Sequence, residues 1–109
     1  MTTIHPVFDR IRSVVCQIPL GSVATYGSVA QALGYKNSRL VGFAIRGNKN
    51  TTIPCHRVVF KDGSLAKNYS FGGIMAQRRR LKSEGVTFTP EGRVKIPTHL
   101  FVFNNQASS

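Results

Sequence analysis

Acidic residues are scarce in this chain, and their scarcity is the first clue to its partner. The 109 residues include 15 Lys and Arg against 4 Asp and Glu, which gives a formal net charge of +11. A surface with such an excess of positive charge attracts polyanions over a Debye length of roughly 10 Å. Nucleic acid is the commonest such partner, an anionic membrane is its competitor, and charge that serves only solubility is the third interpretation.

Long apolar runs are also absent. No segment approaches the roughly 20 apolar residues that a membrane-spanning helix needs, and no long basic amphipathic helix with bulky apolar anchors favours a membrane surface. The start of the chain, from Met1 to Pro6, has no basic region followed by an apolar stretch, so the sequence predicts no secretory signal. We therefore expect a monomeric cytoplasmic protein, associated with the nucleoid when it is bound to DNA.

Cysteine and histidine are too few and too scattered for a metal site. The two cysteines, Cys16 and Cys55, form no Cys-x-x-Cys pair, and the histidines stand apart at His5, His56 and His99. A disulfide is disfavoured in a reducing compartment. We expect Cys16, beside the apolar face of the first predicted helix, to be inert packing. No cofactor or metal is expected.

The apolar spacing predicts a single, mainly α-helical domain with small β elements over residues 1–103, followed by a disordered tail at 104–109. Helices are predicted at Pro6–Gln17, Tyr26–Leu33, Arg39–Arg46 and Ile74–Glu84. Short extended pieces are predicted around residues 23–25, in a hairpin over 58–65 with Asp-Gly at its turn, and in a pairing of 86–88 with 93–96.

The second and third predicted helices are joined by a tight turn, which is typical of a helix-turn-helix. Ser38 is expected to cap the later helix. Arg39, Gly42, Phe43 and Arg46 share one face of that helix. The other face is apolar and consists of Leu40, Val41, Ala44 and Ile45. Arginine supplies phosphate contacts and glycine permits close approach to a groove, so the first face is a candidate DNA-binding surface. The alternative is an ordinary solvated face, and an exposed Phe43 argues against it.

Cys55 is followed directly by His56 and Arg57. A cysteine becomes a nucleophile when a base or positive charge stabilises its thiolate, although composition alone favours a packed side chain. Glu84 ends a predicted helix, where the helix dipole disfavours negative charge. We expect Glu84 to pair with His56, and the resulting Cys–His–Glu chain to draw the proton from the thiol.

The run Ile53–Val59, which reads IPCHRVV, resembles the active-site motif of the O6-alkylguanine-DNA alkyltransferases, also called methylated-DNA–protein-cysteine methyltransferases. Residues 21–27 are similar to the segment that opens that family's helix-turn-helix, and residues 39–42 and 46–48 are similar to its recognition helix and the asparagine hinge behind it. Residues 68–70 and 72–73 are similar to its lesion-binding loop. The resemblance extends from about Pro6 to Gly85, which is most of the chain.

The resemblance implies a winged-helix-like helix-turn-helix domain that places its recognition helix in the minor groove of duplex DNA. It implies that Arg39 enters the base stack and that Tyr26 helps to rotate the damaged nucleotide out of the helix, which costs a few kcal/mol. Tyr26 and Tyr69 would line the lesion pocket, and the backbone around Val58 and Ser70 would read the guanine edge.

The resemblance also implies a chemistry without cofactor or turnover. Cys55 would attack the alkyl carbon on guanine O6, and the alkyl group would remain on sulfur. His56 would act as the base through a water, Glu84 would orient His56, and Asn48 would brace the active-site loop. The DNA repair function expected is single-turnover S-alkylation of Cys55.

Two departures favour a second function. The chain is short, and its C-terminal part looks like that of the alkyltransferase-like proteins, which bind O6-alkylguanine without repairing it, recruit other repair proteins and typically have tryptophan where Cys55 stands. The loop 66–73 is about two residues longer than the alkyltransferase pattern, with Phe71 as the extra residue. A non-enzymatic lesion sensor is therefore the alternative. A helix-turn-helix regulator with an inert Cys55 is the third hypothesis, and it leaves Tyr26, Asn48 and Glu84 unexplained.

Overall fold

The structure is a computed structural model that describes residues 6–67 and 69–103. Two predictions lie outside the described residues, namely the tail at 104–109 and the part of the lesion-binding loop at Asn68. The chain forms five α-helices and two short strands within the described part. They are α1 (Pro6–Val15), β1 (Ala24–Thr25), α2 (Tyr26–Ala32), α3 (Arg39–Arg46), β2 (Val58–Val59), α4 (Gly73–Ser83) and α5 (Ile96–His99). The predicted class, mainly helical with small β elements, is confirmed.

Helix α1 packs its apolar side against α2 and α3. Ile11, Val14 and Val15 are buried on it, as the helical spacing predicted. The helix ends before the predicted Gln17, and Cys16 is exposed in the turn that follows. The expectation that Cys16 packs into the core is therefore wrong, because its side chain is exposed to solvent although its backbone N–H still donates to the Arg12 carbonyl at 3.0 Å.

Helices α2 and α3 are joined by a short turn in the arrangement of a helix-turn-helix. A capping box starts α2, in which Thr25 Oγ1 accepts from the Ser28 backbone N–H and Ser28 Oγ accepts from the Thr25 N–H. Ser38 is the N-cap residue of α3, as predicted, but its side chain makes no capping hydrogen bond. The backbone N–H of Arg39 instead donates to Asn37 Oδ1 at 3.0 Å.

The buried face of α3 is narrower than predicted. Val41, Ala44 and Ile45 are buried, whereas Leu40 is 38% exposed and does not belong to the apolar back. Helices α1 and α2 both pack against α3, and the other three residues of the predicted apolar face belong to the buried core while Leu40 does not. The exposed Phe43 is confirmed, at 44% exposure.

The two strands pair in parallel, with Ala24 opposite Val58 and Thr25 opposite Val59. The predicted hairpin over 58–65 is therefore wrong in its pairing and forms only its turn, in which the Phe60 N–H donates to the Ser64 carbonyl. Gly63 has φ +88°, and a Cβ there would lie 2.5 Å from the Val94 carbonyl oxygen, so this turn packs closely against the C-terminal segment. The predicted pairing of 86–88 with 93–96 forms one antiparallel bridge, Phe88 with Val94.

Helix α5 was not predicted from the sequence, since four residues are too few to show periodicity. Within the described ranges, none of the helices has the length and apolar character that crossing a membrane requires.

Candidate functional site

A cavity of about 780 Å³ opens beside α3, and we call it the central cavity. The cavity is lined by the whole predicted DNA-binding face of α3, which consists of Arg39, Gly42, Phe43 and Arg46. It is also lined by three residues that the sequence predicted for catalysis or for the lesion pocket, namely Tyr26, Cys55 and Tyr69. A Cβ at Gly42 would meet nothing within 4 Å, so the surface of α3 is open at that point.

Cys55 begins a short 3₁₀ turn, Cys55–Arg57, directly before β2. Its side chain is 3% exposed. Burial raises the pKa of the thiol to about 11, while a hydrogen bond from Asn48 and the positive charges of Arg12 and Arg80 act in the opposite direction. The resting side chain is therefore a protonated thiol at neutral pH, and it needs a base to become a nucleophile.

Asn48 connects the end of α3 to the loop that precedes Cys55. It is buried, and its Nδ2 donates both to the Asn50 carbonyl at 2.9 Å and to Cys55 Sγ at 3.3 Å. Its Oδ1 accepts from the Asn50 N–H at 3.0 Å. All polar atoms of the amide are thus used to hold the loop and the thiol in one arrangement.

His56 and Glu84 form the predicted pair, with His56 Nε2 2.8 Å from Glu84 Oε2. Arg57, which the sequence did not place in the site, binds the same carboxylate through both Nε and NH2 at 2.9 Å. Burial of Glu84 would raise the pKa of its carboxyl, but the hydrogen bonds and charges of Arg57 and His56 outweigh that effect and lower it. Glu84 is therefore a carboxylate near neutral pH.

The tautomer of His56 follows from this arrangement. Burial lowers the pKa of His56 below its usual 6.5, more than the Glu84 carboxylate raises it, so the ring is neutral at neutral pH. Because a carboxylate only accepts, the proton of the neutral ring lies on Nε2, and Nδ1 carries a free lone pair. Nδ1 is buried and has no hydrogen-bond partner among residues 6–67 and 69–103. The ring is arranged to accept a proton at Nδ1.

The predicted continuous Cys–His–Glu chain is present only in its second half. Within the described part of the chain, Cys55 Sγ is bonded to Asn48 and has no hydrogen bond to His56. The fixed link is between His56 and Glu84, and a transfer of the thiol proton to Nδ1 requires a bridging group or a local movement.

Tyr26 is the first residue of α2, so the capping box fixes the point at which its side chain leaves the backbone. Its ring centroid lies 4.9 Å from that of Phe60, and both rings line the central cavity. Burial, together with the neighbouring Cys55, raises the pKa of the Tyr26 hydroxyl to about 12, so it remains a neutral hydrogen-bond donor. Phe60 was missed from the sequence, where it read only as part of the hairpin.

The remaining lesion-pocket residues lie in different environments. Tyr69 is buried, and its hydroxyl accepts a hydrogen bond from Arg80 NH1 at 2.7 Å. Ser70 is exposed and its Oγ donates to the Arg46 carbonyl. Val58 is fully buried, and its carbonyl accepts from Gln77 Nε2 at 3.1 Å. Neither Val58 nor Ser70 lines the central cavity, and their part in reading guanine remains a prediction.

Two supporting residues were also missed. Gln77, 1% exposed, donates through Nε2 to the carbonyls of His56 and Val58 and so fixes the backbone on either side of Arg57. Gln77 lies four residues before Leu81, on the same face of the helix, and this spacing was the one sequence signal that Gln77 is buried. Arg12 donates through Nε and NH2 to the Ala44 carbonyl near the end of α3. Nothing in the local sequence distinguishes Arg12 from the exposed arginines.

Within the described residues, no group of three or more His, Cys, Asp and Glu side chains is placed to hold a metal ion.

Comparison with known proteins gives consistent matches. The family described as 6-O-methylguanine DNA methyltransferase, DNA binding domain, matches residues 6–86. The chain is 39% identical over 105 residues to a bifunctional methyltransferase/endonuclease of Picrophilus torridus, covering 94% of this chain and 34% of that protein. It is 32% identical over 100 residues to alkyltransferase-like protein 1 of Schizosaccharomyces pombe, covering 86% of this chain and 93% of that protein.

A solved structure agrees with the sequence matches. The crystal structure of S. pombe Atl1 in complex with damaged DNA containing O6-carboxymethylguanine superposes with a TM-score of 0.75 at 31% identity, covering 92% of this chain and 98% of that one. The chain thus spans about a third of the bifunctional relative but nearly all of the alkyltransferase-like one. On the sequence match over residues 6–86 and the shared helix-turn-helix fold, this chain belongs to the 6-O-methylguanine DNA methyltransferase family.

Proposed function

We propose that this protein binds O6-alkylguanine in duplex DNA, rotates the damaged nucleotide into the central cavity and transfers its alkyl group to Cys55. The observation that carries the proposal is the position of Cys55. Cys55 lines the central cavity together with the predicted DNA-binding face of α3, and the next residue is a neutral histidine whose tautomer, with a free Nδ1, is set by Glu84.

The DNA-binding part of the proposal rests on charge and on the face of α3. Arg39 and Arg46 supply cations on that face, and Phe43 between them is an exposed apolar side chain of the kind that minor-groove proteins insert between bases. Arg46 also lies over the Phe43 ring, 5.2 Å from its centroid, and so supports its orientation. Contacts of this kind offset the few kcal/mol that flipping a nucleotide costs.

The proposed transfer is a single displacement at carbon. As the base accepts the thiol proton, Cys55 Sγ forms a bond to the alkyl carbon and the bond between that carbon and guanine O6 breaks. The electron pair leaves on the guanine, which regains a proton and is restored. His56 accepts the thiol proton at Nδ1 through a bridging water, and Glu84 stabilises the imidazolium that forms. The thioether is stable, so each protein molecule reacts once.

The second candidate is a lesion sensor that binds O6-alkylguanine without taking the alkyl group and attracts other repair proteins. Two observations favour it. The chain covers 93% of an alkyltransferase-like protein, and the buried Cys55 thiol has a pKa of about 11 in the absence of DNA. Both candidates place the same base in the same cavity, so they differ only in the fate of the sulfur.

Peptide mass spectrometry separates the two candidates. The protein is incubated with a duplex containing one O6-methylguanine, digested, and the peptides that contain Cys55 and Cys16 are compared. The transfer proposal predicts one added methyl group on the Cys55 peptide and none on the Cys16 peptide. An unmodified Cys55 peptide together with selective binding of the damaged duplex would favour the sensor.

A further inference from the structure

A second group of cations, from elements other than α3, lines the central cavity. Arg78 comes from α4, Arg93 from the turn after residue 90, and Lys67 from the loop before α4. The central cavity therefore has two cationic borders, one formed by α3 and one formed by these three residues, which we call the second border.

The charge of the second border is poorly neutralised. Arg78 and Lys67 form no salt bridge within the described residues. Arg93 Nε lies 3.9 Å from Asp62 Oδ2, and both side chains are more than half exposed, so this pair contributes little and leaves the guanidinium accessible. Glu91 is the one acidic residue among those lining the cavity. The border retains a net positive charge.

The Arg78 side chain has neighbours on α4, at Phe88 and in the turn at Gly92. Its guanidinium lies 6.0 Å from the centroid of the Phe88 ring, and NH1 approaches Met75 Sδ at 3.6 Å. Gly92 has φ +88°, and a Cβ there would lie 3.1 Å from Arg78 NH2. The absence of a side chain at position 92 therefore lets the turn and the guanidinium approach each other. A cation held in this way loses less conformational freedom when it binds an anion.

From this arrangement we infer that the second border binds the phosphates of the DNA strand that carries the flipped nucleotide. The inference rests on the proposed function, since it requires a base in the central cavity. When a base enters a cavity whose first border lies in the groove, the phosphates on either side of that nucleotide follow it toward the other border. Arginine and lysine side chains there neutralise those phosphates. The α3 border would then read the groove, and the second border would hold the displaced strand.

The salt dependence of binding tests this inference. Equilibrium affinity is measured in the Cys55→Ala background, so that the lesion persists, for a duplex with O6-methylguanine and for the same duplex with guanine. Arg78→Gln and Arg93→Gln each remove one cation of the second border. Arg79→Gln is the matched control, because Arg79 is the next residue on α4, is exposed and does not line the cavity. Thermal unfolding of each variant verifies that it is folded.

The expected result is a loss of about 0.9 in the slope of log affinity against log salt for each phosphate contact removed. We expect this loss for Arg78→Gln and Arg93→Gln on the damaged duplex, a smaller loss on the undamaged duplex, and none for Arg79→Gln. Slopes for Arg78→Gln and Arg93→Gln equal to that of Arg79→Gln would overturn the inference, and so would equal losses on the two duplexes.

The proposed function can fail separately. If the unsubstituted protein forms the Cys55 adduct or selects the damaged duplex while the slopes do not change, only the second border is refuted. If it does neither, the proposed function itself is refuted.

Discussion

Asn48 Nδ2 donates a hydrogen bond to Cys55 Sγ across 3.3 Å, and this contact links the end of α3 to the Cys55 thiol. The same amide is bonded at both of its polar atoms to the backbone of Asn50. A change at Asn48 therefore alters the loop geometry and the environment of the sulfur together.

Replacing Asn48 with leucine should destabilise the protein and slow the reaction of Cys55. The backbone groups of Asn50 lose two part-buried hydrogen bonds, each of which contributes about 0.5–1.5 kcal/mol to the free energy of unfolding. The thiol also loses the hydrogen bond that lowers its pKa. Urea unfolding and the rate of adduct formation measure the two effects, with the exposed neighbour Lys49→Ala as control. Wild-type stability in Asn48→Leu would show that the brace is not needed.

The two cysteines should differ in their reaction with iodoacetamide at neutral pH. Burial raises the pKa of the Cys55 thiol from an ordinary value of 9.0 to about 11, which lowers its thiolate fraction roughly a hundredfold. We expect Cys55 to label roughly a hundredfold more slowly in the native protein than in urea, whereas the exposed Cys16 labels at similar rates in both. Time-resolved peptide mass spectrometry gives the rates. Rapid native labelling of Cys55 would mean that the free protein already holds a thiolate.

The free energy of unfolding should decrease in two steps as the pH is lowered. The pKa of His56 is below 6.5 in the folded protein, so the unfolded chain binds that proton first and stability falls as the pH drops below about 6.5. The folded pKa of Glu84 is below 4.5, so its contribution is full above pH 4.5 and is lost as the pH falls through the lowered value. Urea unfolding across this range measures both steps.

Glu84→Gln isolates the second step. It should cost about 1–3 kcal/mol at neutral pH, because Arg57 and His56 lose a charged partner. The difference from the wild type should shrink as the pH falls below 4.5. A difference that stays constant through that range would contradict the assignment of the carboxylate.

The rate of alkyl transfer should fall in acid with the protonation of His56. Because the proposed base is the neutral ring of His56, we expect a constant rate near neutral pH and a decline below 6.5, at the lowered pKa of His56. His56→Gln should lower the rate about a hundredfold or more and abolish this decline. His99→Gln is the matched control, since His99 contacts Thr87 and Gly21 and not Cys55. An acid decline that survives in His56→Gln would assign the base to another group.

The sequence predicted the helices of this site better than the contacts between them. Both bounds of α3 were correct because Asn37, Ser38 and Gly47 stop a strongly periodic run on either side. The pairing of β1 with β2 was missed, since it joins residues 34 positions apart in parallel and leaves no local turn signal. Cys16 was misplaced because it lies only beside the apolar face of α1, and a position at the edge of that face can be either buried or exposed.

Among the site residues, too, those with a local sequence signal were predicted and those that act through tertiary contacts were missed. Glu84 was found because a carboxylate at the C-terminal end of a helix is out of place without a partner. Arg57 was missed although it neighbours His56, because its bidentate contact with Glu84 depends on how α4 meets the 3₁₀ turn. Phe60 and Gln77 were missed for the same reason, as each acts through tertiary contacts.

Stoichiometric transfer of a labelled methyl group tests the central claim most directly. A duplex carrying O6-[³H]methylguanine is incubated with the wild type, Cys16→Ala and Cys55→Ala, and the label bound to protein is counted per folded molecule. The transfer proposal predicts one methyl group per molecule for the wild type and Cys16→Ala, none for Cys55→Ala, and no second round of transfer. Selective binding of the damaged duplex with no protein-bound label in any of the three would contradict it.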